Sequence, residues 1–105
     1  MKRFIQNLIV TGECFVLMFV FCVGVVNADS GKELYEMNCS ACHGNVGLAV
    51  LPGSPNFSKG ERLEKTDTEL LKSIRDGLKV MPPWQGVLSE ADMKSTLSHI
   101  RSLSE

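Results

Sequence analysis

Five consecutive residues carry most of the chemistry this chain has to offer: Cys39-Ser40-Ala41-Cys42-His43. Two thiols three positions apart, followed at once by an imidazole, form C-x-x-C-H, the attachment signature of c-type haem. The spacing has a mechanical reason. Two such cysteines at a helix end can each bond one vinyl-derived carbon of a porphyrin, and the adjacent histidine then turns its imidazole under the ring toward iron. Competing chemistries fit less well. A thioredoxin-like C-x-x-C needs a βαβ setting, and no segment alternates apolar and polar residues over a strand-like length. A structural zinc site needs four ligands, and only His99 is spare. A plain disulfide would leave His43 unexplained.

Iron held by one histidine has a sixth position to fill. The candidates are Met37, Met81, Met93, His99 and water. Met37 lies on the helix leading into the motif, too near to reach the opposite face. Met93 and His99 fall in the last helical segment, where Met93 reads as core and His99 as a surface or half-buried histidine. Met81 sits in Lys79-Val80-Met81-Pro82-Pro83-Trp84, just past a helix stop. Its two prolines fix φ and remove backbone donors, stiffening the loop where a weak thioether must be held. Met81 is the expected distal ligand.

Three helical segments position these groups. The first starts at Ser30, with Glu33 in the capping-box position, and carries Leu34 and Met37 on one face beside Tyr35. The second starts at Thr66 with Glu69, buries Leu70, Leu71 and Ile74, and stops at Gly77. The third starts at Ser89 with Asp92 and buries Met93, Leu97 and Ile100. Between the first two runs a long Gly- and Pro-dotted stretch, residues 44–65, which makes sense if it wraps something. The expected class is all-α: three or more helices and wrapping loops around one covalently bound haem.

The chain has 105 residues and a net charge of −1, so no basic footprint points to nucleic acid. Lys2 and Arg3, the apolar run 14–26 and the small residues of Val26-Asn27-Ala28 have the layout of a secretory signal peptide cleaved near Ala28. The alternative is a retained membrane anchor, the one case in which a membrane becomes a partner. A spanning helix wants about 20 apolar residues, and Glu13 with Thr11 and Gly12 interrupts any longer run. Residues 1–28 are thus read as the signal and 29–105 as one haem domain, exported to the periplasm. Cys14 and Cys22 leave with the signal, and Cys39 and Cys42 remain in a compartment that tolerates disulfides. A chain this short has a modest core and usually needs a staple.

The mature chain resembles the small mono-haem class I cytochromes c of bacterial periplasmic type, over roughly residues 30–103. The resemblance rests on Gly31 and Tyr35, the Cys39-to-Gly44 segment, Pro55-Asn56-Phe57, Ile74-Arg75-Asp76-Gly77, Met81-Pro82-Pro83-Trp84 and the final helix. It implies the cytochrome c fold, thioether bonds from Cys39 and Cys42, His43 as proximal ligand and Met81 as distal ligand. It also implies that the Pro55 carbonyl accepts the Nδ1 proton of His43, fixing the tautomer. The first and last helices would cross, with Gly31 and Tyr35 against Leu97, Ile100 or Arg101. Trp84 would cover the methionine side or a propionate edge of the haem, its indole N–H needing a partner if buried.

A haem with both axial positions filled by protein moves one electron rather than binding substrate, and a thioether ligand favours ferrous iron. The expected function is a soluble periplasmic one-electron carrier, not an enzyme, serving redox-partner proteins that the sequence does not name. Its docking face would be the haem edge bordered by Ala41, Val80, Pro82 and Pro83, small and apolar as transient redox contacts are. The alternatives are a dedicated electron-transfer subunit of a larger periplasmic oxidoreductase, or a haem enzyme or gas-binding protein with an open sixth position.

Overall fold

The computed structural model describes residues 30–105, so the signal-peptide reading of residues 1–28 lies outside the described residues. Among the described residues four α-helices form: α1 (Ser30–Asn38), α2 (Ser40–His43), α3 (Asp67–Asp76) and α4 (Glu90–Ser102), with a 3-10 turn at Phe57–Lys59. Extended pairing among the described residues is limited to two isolated bridges, Leu78 with Met81 and Gln85 with Leu88. None of these helices is long and apolar enough to cross a membrane.

Local sequence explains where the helices begin and end. Thr66 caps α3 through a reciprocal box: its hydroxyl accepts from the Glu69 N–H at 3.2 Å, while the Glu69 carboxylate accepts from the Thr66 N–H at 2.9 Å. Ser89 caps α4 by accepting from the Asp92 N–H at 3.0 Å. Gly77 closes α3 at φ 79, and a side chain there would meet the Met81 carbonyl oxygen at 2.6 Å. The same glycine therefore both stops the helix and lets the Met81 loop fold back upon it.

The core is one apolar cluster drawn from all three main helices and the 3-10 turn: Tyr35, Phe57, Leu70, Leu71, Ile74, Met93, Leu97 and Ile100. Its organising contact is the packing of α1 on α4. A β carbon on Gly31 would lie 2.7 Å from the Ser95 carbonyl carbon, so the two backbones touch there and only glycine fits. The crossing partners differ from the sequence expectation. Gly31 abuts Ser95 and Thr96, and Tyr35 packs on the His99 ring at 5.2 Å between centroids. Arg101 turns away instead, donating to Asp67 Oδ1 at 2.7 Å and to the Leu63 and Lys65 carbonyls at 2.9 Å each. It thereby ties the end of α4 to the start of α3. Gly31→Val should cost about 1–3 kcal/mol of unfolding free energy by overpacking this contact, measurable by denaturant titration of the haem-loaded protein.

The stretch 44–65 is more ordered than its Gly and Pro content suggests. The Val50 and Leu51 N–H groups both donate to the Cys42 carbonyl, at 2.9 and 3.0 Å, and Ser58 N–H reaches the Gly47 carbonyl at 3.0 Å. Asn56 acts as a double pin: its side-chain oxygen accepts from the Ala49 N–H at 2.8 Å, and its own N–H donates to Glu61 at 3.0 Å. Side-chain-to-backbone bonds replace a helical ladder here, which is why no periodicity announced them.

Candidate functional site

The cysteine pair sits at a helix junction. Cys39 falls between α1 and α2 and keeps the helical bond to the Tyr35 carbonyl at 2.8 Å, while His43 N–H closes back on the Cys39 carbonyl at 3.0 Å. Cys39 is half-buried and Cys42 exposed. Burial, and next the neighbouring Cys42, push the Cys39 thiol up to about 11.

Tyr35 and Phe57 fix the geometry around His43. The fully buried Tyr35 hydroxyl donates to the Gly44 carbonyl at 2.6 Å, clamping the residue that follows the histidine. Phe57 stacks on the imidazole with centroids 4.6 Å apart and planes 21° from parallel. Neither contact was visible in the sequence reading, which placed Tyr35 at the helix crossing and gave Phe57 no role. The only available signal was Phe57's place in Pro55-Asn56-Phe57.

His43 Nδ1 is buried and has no hydrogen-bond partner of good geometry. Burial holds the imidazole below its ordinary pKa, with the neighbouring Pro55 carbonyl pulling the other way but more weakly. The Pro55 carbonyl is the acceptor at hand for the Nδ1 proton.

Met81 is held by its own loop. Its N–H donates to the Leu78 carbonyl at 3.0 Å and its carbonyl accepts from the Leu78 N–H at 3.1 Å. Trp84 then anchors the loop to α3, its N–H donating to the Ile74 carbonyl at 3.0 Å, while its half-buried ring packs against the core. Cys39, Cys42, His43, Pro55, Met81 and Trp84 all line one cavity of about 360 Å³. The alternative ligands do not share that wall. Met37 is 80% exposed, Met93 is buried in the core, and His99 lies against Tyr35.

These residues fit a haem. Two thiols and an imidazole face a cavity walled largely by Leu51, Phe57, Leu70, Ile74, Leu97 and Ile100. Among the described residues no cluster of three or more His, Cys, Asp or Glu side chains could hold a bare metal ion, so the donor set suits a macrocycle and not a metal cage.

Comparison with known proteins agrees. A family model described as cytochrome c oxidase, cbb3-type, subunit III matches residues 26–100. Cytochrome c6 of Euglena viridis is 35% identical over 78 residues, covering 70% of this chain and 88% of that protein. The chain belongs to the small mono-haem class I cytochromes c. Cytochrome c6 of Pyropia yezoensis, 26% identical, aligns over 100% of this chain and 97% of its own. The cbb3-type cytochrome c oxidase subunit CcoP of Azospirillum brasilense is 35% identical over 72% of this chain, but over only 28% of that longer protein. This cytochrome therefore carries one covalently bound haem c on its C-x-x-C-H segment, and its all-α fold is that of its family.

Trp84 gives a test of how the cytochrome's Met81 loop is held. In Trp84→Ala the methionine-to-ferric charge-transfer band should vanish at a lower temperature than in the parent, before the far-ultraviolet helix signal falls. Trp84 fluorescence in the parent should be quenched by the haem and recover on unfolding. If both transitions move down by the same amount, keeping the parent's separation between band and helix signal, Trp84 is ordinary core.

Proposed function

We propose that this cytochrome is an exported, soluble carrier of single electrons between redox proteins, and not an enzyme. The bound haem supplies a one-electron ferric/ferrous couple, and every other task falls to the chain. Cys39 and Cys42 fix the group covalently. His43 would hold the iron, with the Pro55 carbonyl beside Nδ1 as the acceptor for its proton. Met81 would be the second protein ligand, and a soft sulfur favours the reduced state. With two protein ligands the haem would have no place for a substrate, which leaves electron transfer as the function.

The observation that carries this reading is the meeting of Cys39, Cys42 and His43 with the half-buried Met81 on one largely apolar cavity. Electrons would enter and leave at the edge marked by Val80 and Pro82, which line the cavity, with Ala41 and Pro83 next to lining residues in the chain; all four are exposed, Val80 at 82%. Export would place the carrier in the periplasm, once the segment ending near Ala28 is removed.

Voltammetry tests the function. The haem-loaded protein should show one reversible one-electron couple, and it should exchange electrons rapidly with a soluble cytochrome oxidase or reductase preparation. A second reading draws on the CcoP likeness: the domain could serve as a fixed electron-transfer subunit of a larger oxidoreductase. Stoichiometric co-purification with a membrane oxidase, resistant to salt, would favour it over the free carrier.

A further inference from the structure

Arg62 and Lys79 combine two properties. Both line the cavity, and apart from His43 and the two cysteines they are the only ionisable side chains on its wall. Both also hold left-handed backbone, at φ 67 and φ 56, and they are the only non-glycine residues with positive φ among those described. Long side chains seldom adopt that region, where glycine would serve without steric cost. Backbone of this kind persists only where its surroundings over-determine it, and it gathers at ligand sites.

The two residues come from separate loops. Arg62 follows the 3-10 turn, and Lys79 lies between α3 and Met81. Neighbouring arginines are engaged elsewhere, Arg75 with Glu90 and Arg101 with Asp67. Arg62 and Lys79 form no ion pair with any described residue. Two unrelated turns thus each strain their backbone to set a cation on the wall of the same apolar cavity.

We propose that Arg62 and Lys79 are the counter-ions of the two haem propionates. The assignment rests on the cavity being the haem site. Haem brings two carboxylates, and an ionised carboxylate leaves water only if it is paired. A guanidinium meets a carboxylate through parallel N–H donors, and an ammonium meets it as a point charge. The same positive charges favour ferrous over ferric iron, because reduction adds one electron beside them. The pair is therefore a binding site for the propionates and a control on the reduction potential.

Midpoint potentials of haem-loaded Arg62→Gln, Lys79→Gln and a control away from the cavity wall, Lys72→Gln, provide the test, at low and high salt. Both cavity variants should attach haem and keep the methionine-to-ferric band. Each should show a lower potential, the equilibrium constant for reduction by a given donor falling roughly tenfold. Most of that shift should survive high salt, whereas any shift in Lys72→Gln should be screened away. Lys79→Gly should lose potential equally while its melting temperature holds or rises, since glycine relieves the backbone at φ 56. Unchanged potentials in both glutamine variants, or shifts that match Lys72→Gln and disappear with salt, would overturn the assignment. Should a glutamine variant fail to load haem, rescue by Arg62→Lys or Lys79→Arg supports the pairing, and failure of both rescues refutes it. If the parent protein itself loads no haem, the fault lies with the reading of the cavity and not with these two cations.

Discussion

Met81→Ala should turn an inert carrier into a ligand-binding haem protein. With Met81 proposed as an iron ligand, the parent is expected to bind neither carbon monoxide when reduced nor azide when oxidised. In the mutant both ligands should bind stoichiometrically, the methionine-to-ferric band should be gone, and weak peroxidase activity should appear. No substitute ligand is at hand: Met93 is 2% exposed in the core, and His99 is packed on Tyr35. The cost to the fold should be small, about 1–2 kcal/mol, below the 2–5 kcal/mol for truncating a fully buried methionine, because Met81 is only half-buried. A mutant that keeps the parental potential and refuses both ligands would remove Met81 from the iron.

The second large effect concerns folding. Cys39→Ala with Cys42→Ala, exported normally, should yield a chain that is largely unfolded or rapidly degraded. Among the described residues eight buried apolar side chains form the core, and five of them, Phe57, Leu70, Ile74, Leu97 and Ile100, line a cavity of about 360 Å³. Without the haem that apolar wall is left to water, a large loss for a small domain whose whole stability is about 5–15 kcal/mol. Circular dichroism and limited proteolysis read the outcome. A cooperative melt and protease resistance in the double mutant would show that the haem is not what staples this fold.

Much of this architecture was legible because its causes are local. Thr66 and Glu69 announce a helix start by the reach of two short side chains, and Leu70, Leu71 and Ile74 announce its buried face by spacing. The cysteine pair and His43 are contiguous, so their chemistry is readable without a fold. The illegible features depend on contacts between distant segments. Tyr35 looked like helix-crossing bulk until its hydroxyl met the Gly44 carbonyl. Arg101 looked like part of the α1–α4 crossing, yet it clasps Asp67 and two carbonyls from a different loop. The left-handed conformations of Arg62 and Lys79 carry no sequence signal at all, since an Asn or Gly would have been the expected residue there.

The central claim is that protein groups occupy both axial positions of the iron, His43 on one side and Met81 on the other. The most direct measurement is the absorption spectrum of the dithionite-reduced, haem-loaded parent protein before and after saturation with carbon monoxide. The account predicts superimposable spectra, together with a weak far-red methionine band in the oxidised form. A prompt shift of the Soret band on adding carbon monoxide, with no far-red band on oxidation, would contradict it.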